Sequence, residues 1–189
     1  MSRSFLSVSN VGVERAERLL VNIPNGLKKA VPRAINRAME SARTVGVQQA
    51  RDQYTVKARA IRSTIKLDRA NANKMIGVIT SSGSPISLYD FKVNPKTVNG
   101  RRRSPIRVSV KKGQQTLLNR AFIARLGSGK TGVFERVGDK RFPIKLLFGP
   151  SAPQMLGNEN VANMIEKTAT ETMDKRLDHE IGRLLDGAM

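Results

Sequence analysis

The chain has 189 residues and a formal net charge of +19, from 34 Lys and Arg against 15 Asp and Glu. It has no Cys and no Trp, and aromatic residues make up only 4% of it, which excludes disulfides and thiolate chemistry and leaves a core of Val, Ile, Leu, Met and Ala. The length suits one domain with a real core, no run approaches the roughly 20 apolar residues of a membrane span, and a surplus this large points to a polyanionic partner or a strong negative field.

The surplus is uneven. Residues 1–60 hold 11 basic and 4 acidic residues, 61–150 hold 19 and 4, and 151–189 hold 4 and 7. The N-terminal apolar pieces are interrupted by Glu14, Arg15, Glu17 and Arg18, which does not read as a signal peptide. With no cysteine, the expectation is assembly in the cytosol.

In chain order, residues 12–21 predict a short amphipathic helix with Val13, Ala16, Leu19 and Leu20 on one side, broken by Pro24, Asn25 and Gly26. The strongest helical pattern runs from Pro32, suited to a first turn, to about Tyr54. Ile35, Ala38, Met39, Ala42 and Val45 form its apolar stripe. Arg33, Arg37, Arg43 and Arg51 lie off that stripe, with Glu40 three residues from both Arg37 and Arg43 and placed to pair locally. A second short helix is expected over 55–63, with Thr55 as its N-cap and Val56, Ala60 and Ile61 turned inward.

The period then changes to alternation. Residues 64–70 and 74–81 predict strands on either side of an Asn71-Ala72-Asn73 turn, and 86–91 predicts a third after the turn at 81–85. Residues 92–105 hold two prolines, Asn99-Gly100 and three consecutive arginines without periodicity, and read as an exposed loop. In 106–111, Ile106, Val108 and Val110 alternate with Arg107, Ser109 and Lys111, as in a strand with one wet basic face. The runs 121–126, 132–137 and 142–148, joined by two short turns, predict consecutive antiparallel hairpins.

A C-terminal helix is expected from an Asn158 cap to about Leu185, with Gly187 as a stop. Val161, Ile165, Ala169, Met173, Leu177, Ile181 and Leu184 trace its stripe, and Glu166, Glu171, Asp174, Asp178 and Glu180 its outer face. The stripe is expected to pack on the sheet; the acidic face has the alternative of meeting the basic region of a neighbouring copy.

One stretch invites a catalytic reading. ARLGSGKT (124–131) resembles a phosphate-binding loop, but its first position is Ala124, and the β-branched, alternating residues after Thr131 predict a strand where such a loop needs a helix. The sole histidine, His179, lies on the acidic helix, and nothing marks a nucleophile elbow around it. The expectation is no catalytic residue, no cofactor and no metal.

Nucleic acid is the remaining partner class. Arg101, Arg102, Arg103, Arg107, Lys111, Lys112, Lys130, Arg136, Lys140 and Arg141 are the candidate DNA-facing or partner-facing cations. No helix-turn-helix, zinc finger or basic zipper is visible, and few aromatics are available for stacking on single strands. That leaves nonspecific, salt-dependent contact with the backbone of double-stranded DNA.

The segments AINRA (34–38), VKARAIRSTIKLDRA (56–70), SSGSPISLYDF (81–91), AFIARL (121–126), VFERVG (133–138), RFPIKLLFGPS (141–151) and PQML (153–156) occur in one order. In that ordered set the chain resembles the prophage minor tail protein Z family, the tail completion proteins of long-tailed phages, over roughly residues 27–186. The resemblance implies a non-enzymatic virion component, added late at the head-proximal end of the tail where the genome passes. The implied partners are other tail and neck proteins and further copies of itself in a ring, for which six copies is one size considered. A ring about 30 Å thick would face on the order of 18 phosphates of a duplex, far fewer charges than six copies at +19 each would bring. Only weak, mobile DNA contacts are therefore expected, mainly from 92–105.

Together these observations predict an α+β chain. An N-terminal arm and short helix (1–26) would precede a tail-completion-like domain (27–186), helical over 27–63, β-rich and basic over 64–149, and closed by a C-terminal helix over 150–186. The rival readings are a free nonspecific DNA- or RNA-binding protein and, behind it, a nucleotide enzyme built on 124–131.

Overall fold

The computed structural model describes residues 3–5, 11–98, 104–126 and 129–187. The chain is α+β, as predicted: N-terminal helices, three small antiparallel sheets in place of one, and a long C-terminal helix.

Helix α1 (Val11–Leu19) buries Ala16 and Leu20 beyond its end, but Leu19 faces outward at 45% exposure. The corner after it closes at Asn25, whose φ of 57° is left-handed, a conformation that Asn tolerates better than most residues. Helix α2 (Gly26–Gln53) therefore begins six residues before the expected start and carries Pro32 inside. Residue 32 lies early enough that its missing N–H costs only one bond near the helix start.

Every fourth residue along α2 is small: Gly26, Ala30, Ala34, Ala38, Ala42, Gly46 and Ala50 are all buried. Helix α5 (Glu159–Asp186) answers with Val161, Ile165, Ala169, Met173, Leu177 and Ile181, also four apart and buried. A ridge of small side chains lets the large ones of the facing helix sit between its turns and draws the two axes together. The pairing is antiparallel. Near one end Arg33 on α2 meets Glu180 on α5 at 3.2 Å, and toward the other Gly46 lies against Ile165. At about 1.5 Å per residue, each helix of 28 residues is roughly 42 Å long. The α5 stripe packs on α2, not on a sheet as expected from its pattern. Val45, assigned to the α2 stripe, turns instead into an open polar groove with Ser41, Thr44, Thr168 and Thr172.

The short helix α3 (Ala58–Arg62) follows. Lys57, not Thr55, occupies its N-cap position. The Thr55 hydroxyl donates to the Ser109 carbonyl and accepts the Lys92 amide at 3.1 Å. It thus links the end of α2 to the second sheet, which includes β4 (Lys92–Asn94) and β5 (Ile106–Ser109).

The first sheet has the order β1-β3-β2, from β1 (Arg3–Phe5), β2 (Ile65–Asp68) and β3 (Val78–Ser81), with Ile65 opposite Ser81 and Asp68 opposite Val78. Strand β3 is shorter than its apolar run. Gly77 passes so close over α2 that a Cβ there would fall 2.7 Å from Ile35 and closer still to the Met39 sulfur, so 74–77 packs as a loop. The Asn36 amide bonds both the N–H and the C=O of Ala70 at 2.9 Å and fixes the end of this hairpin to α2.

The second sheet, β4-β5-β6, takes in β6 (Thr116–Leu118). Strand β4 lies where a loop was predicted; three residues with only Val93 buried carry no readable period. The expected strand at 86–91 is a single bridge, Ser87 to Phe148, followed by a 3₁₀ turn at Leu88–Asp90 that the Ser87 hydroxyl caps. The third sheet is the predicted hairpin pair, β7 (Ala121–Arg125), β8 (Thr131–Arg136) and β9 (Ile144–Leu146). Helix α4 (Ala152–Leu156), missed in the sequence, starts at a capping box in which Ser151 and Gln154 bond each other's backbone N–H groups.

Two glycines separate packing from propensity. Gly182 on α5 has open space around it, so Gly182→Ala should stabilise the fold by up to about 1 kcal/mol. A Cβ on Gly46 would lie 2.9 Å from the end of Ile165, and Gly46→Leu should destabilise by about 1–3 kcal/mol through overpacking. Urea unfolding of the two variants checks both signs. A third expectation concerns Asp68, whose carboxyl is held below the ordinary carboxylate value by its hydrogen bond to Lys74 at 2.7 Å, then by the Lys74 charge and more weakly by Lys66. The associated stability is present above the ordinary carboxylate pKa and fades as pH falls through the lowered value. In Lys74→Met the Asp68 titration, followed by NMR, should move back up.

Candidate partner and nucleic-acid surface

The described candidate cations are divided between the second and third sheets. Arg101, Arg102 and Arg103 lie outside the described residues. Arg107 projects from the wet side of β5, between Asn94 and Leu117 on the flanking strands, as the alternation implied. Lys111 and Lys112 sit in the turn after it. Lys111 bridges to Tyr54, and Lys112 reaches Asp52 at 4.0 Å while its N–H bonds the Gln53 carbonyl at 2.8 Å. These three belong to the second sheet.

The other four are divided between the two ends of the hairpin sheet. Lys130 is exposed in the β7–β8 turn, where Gly129 takes a φ of +78° and its carbonyl accepts from Arg125 Nε at 3.1 Å. Arg136, Lys140 and Arg141 are exposed at the opposite end, around the β8–β9 turn. At about 3.4 Å per residue, the length of β8 puts the two ends roughly 20 Å apart. Arg120 and Lys145, not picked out from the sequence, are partly neutralised by Asp139 at 3.1 Å and Glu135 at 2.9 Å.

The feature that sequence reasoning missed lies between those ends. The register places Phe122 opposite Phe134 and Phe134 opposite Leu146. The two rings are 6.1 Å apart, and the Arg136 guanidinium stacks 5.3 Å from the Phe122 ring. Arg141 lies 5.6 Å from the ring of Phe142, which is 62% exposed. The signal was available as the alternation of Phe122 with Ala124, and of Gly132 with Phe134 and Arg136, in two strands predicted to pair.

Of residues 124–131, Ala124 and Arg125 end β7 and Thr131 begins β8, paired with Arg125. After Thr131 the chain continues as β8, so the row of helix N–H groups on which a phosphate loop depends does not follow Lys130. Of the acidic residues assigned to the outer face of α5, Glu166, Glu171, Asp174 and Asp178 are exposed. Glu180 is not on the outer face: its carboxylate, 16% exposed, is tied to Arg33 and Arg183. His179 is exposed on α5.

The sequence pattern of the prophage minor tail protein Z family matches residues 11–186. The chain belongs to that family. Neither a curated protein nor a solved structure matches it. The match takes in every described helix and all strands but β1, so this is a phage minor tail protein, and its family is a structural one.

Because Lys130 is an exposed turn residue with no ion pair among the described residues, Lys130→Ala should leave stability within about 0.5 kcal/mol. At Gly129 the left-handed backbone is itself needed, and Gly129→Val should cost about 1–2 kcal/mol. Thermal denaturation of both variants distinguishes a turn from a ligand loop.

Proposed function

We propose that this minor tail protein is a non-enzymatic completion protein, added at the head-proximal end of the tail, at the neck, during assembly in the host cytoplasm. In this reading several copies form a ring with neighbouring tail and neck proteins, and the ring becomes part of the passage through which DNA is ejected. The supporting observation is the division of charge within a member of this family. The cations at both ends of the hairpin sheet and on β5 are exposed, while the last 39 positions hold more acidic than basic residues. A passage for DNA favours scattered, solvated cations on long side chains over a tight groove, because contacts that are individually weak and screened do not hold the genome back.

Deleting the gene from the phage and imaging the particles by electron microscopy tests the role. Tails lacking a head-proximal cap and failing to join heads, restored by adding the purified protein, are expected. Normal joining and infectivity without the protein would falsify it.

The rival reading as a free nucleic-acid binder is favoured by the same cations and separates on salt. For weak lumen contacts, binding of the isolated chain to a duplex should be lost by about 200 mM salt. Lys140→Ala and Arg141→Ala should each reduce the slope of log K against log salt by about one phosphate contact. Tight duplex binding by a single chain at physiological salt supports the rival instead.

A further inference from the structure

The hairpin sheet has apolar groups that the main core does not absorb. Ala121, Ile123 and Val133 face inward and join that core, whereas Phe134 is 4% exposed yet stands outside it. It is covered from its own face by Phe122 and Leu146. Leu146 lies so close over Gly132 that a Cβ there would come within 2.5 Å of it. At the β8–β9 end, beyond the Arg136–Ile144 pair, Phe142 is 62% exposed. Exposed aromatic groups with guanidinium groups stacked on them are the composition of a protein-interface centre. A duplex backbone would satisfy Arg136 and Arg141 but leave the rings in water.

The chain itself carries a surface of opposite character. Because the buried stripe of α5 repeats every four residues against 3.6 per turn, its exposed face drifts around the helix. Along the middle it includes Met164, Lys167, Glu171, Asp174 and Asp178, spaced three and four apart, with Lys175 exposed beside them. Met164 is 38% exposed. Asp178 meets Arg15 at 3.3 Å, whereas Glu171 and Asp174 have no ion pair among the described residues. The main contacts of α5 are with α1, α2 and α4, so the two faces are separate parts of one surface.

We propose that the hairpin-sheet face receives the acidic face of α5 from a second copy of this chain. Arg136 and Arg141 meet Glu171 and Asp174, and Phe142 is buried beside Met164. Two different patches on one chain make a heterologous, head-to-tail contact, which closes into a ring when the rotation permits. The inference rests on the ring reading above and names its two surfaces.

The test uses two variants of the full chain, followed by analytical ultracentrifugation at low salt, with circular dichroism to confirm folding. Arg141→Ala with Phe142→Ser damages the sheet face, and Glu171→Ala with Asp174→Ala damages the helix face; all four positions are exposed. The wild-type chain should self-associate, and each variant alone should do so at least 10-fold more weakly. An equimolar mixture should regain association but stop at two chains, because only one intact pair of faces remains. A monomeric wild type, undiminished association of either variant, or a mixture that stays monomeric overturns the inference. So does a sheet-face variant that keeps self-association and loses duplex binding. A wild-type chain that restores tails in the add-back assay yet remains monomeric sinks this contact and leaves the tail role standing. One that forms the ring and fails to restore tails does the reverse.

Discussion

The fold depends on the close approach of α2 and α5. Six or seven turns of each helix meet through residues four apart, small on α2 and mostly large on α5. With no Trp and six Phe in the whole chain, there are few bulky rings to fill space between layers, so backbone proximity must replace side-chain volume. Because α2 also carries α3, α4 and, through Gly77 and Asn36, the β2–β3 hairpin, a shift in its position would reach each of these. The ion pairs of Arg33 with Glu180 near one end of the stack, and of Glu40 with Arg43 and Arg69 midway along α2, are partly exposed. They specify how the elements meet more than they stabilise the fold.

The β region shares one core with this helical layer, through Val93, Ile106 and Val108 of the second sheet and Ala121, Ile123 and Val133 of the third. The second sheet is attached through Thr55 and Gln53 at the end of α2. The third is tied along its edge to the segment leading into β4 by the strand-like pairing of residues 86–88 with 147–149 beside the 3₁₀ turn. A sheet held along one edge and one face keeps its remaining face free, and that is where Phe122, Arg136 and Phe142 are found. The separation also has an electrostatic consequence. Cations on projecting hairpins are spaced apart and hydrated, so a large net charge costs less self-repulsion than it would on a compact surface.

Much of this was legible in the sequence, for a reason that differs by element. The stripe of α5 and the β7–β8–β9 pairing were read almost to their ends because each repeats its pattern over many residues. Strands β4 and β6, three residues each, are too short to show a period, and 86–91 alternates like a strand but turns after one bridge because Ser87 caps its own chain. Periodicity identified which side of α5 is apolar; it carried no information on what covers it. The small ridge of α2 was the available clue, since residues with so little side chain bury little unless another helix comes close. The candidate cations are exposed at each described position. Their division into separate groups follows from strand register and hairpin length, which single residues do not encode.

That division limits what the basic surface can do. Two groups roughly 20 Å apart at the ends of one hairpin, and a third on another sheet, do not line a single groove in one chain, so a continuous track along a duplex would need several copies. The Arg136 and Arg141 side chains are also engaged with Phe122 and Phe142, and a guanidinium stacked on a ring gives up part of that contact when it turns toward a phosphate. In the proposed ring, those two arginines face the neighbouring copy. Among the described candidates, Arg107, Lys130, Lys140 and the turn lysines Lys111 and Lys112 are left as the cations for DNA. Lysine suits that role: its ammonium is a strongly hydrated point charge on a flexible stem, and it touches a phosphate without the planar, two-point hold of arginine. A passage lined in this way would neutralise the genome's charge locally while letting it slide.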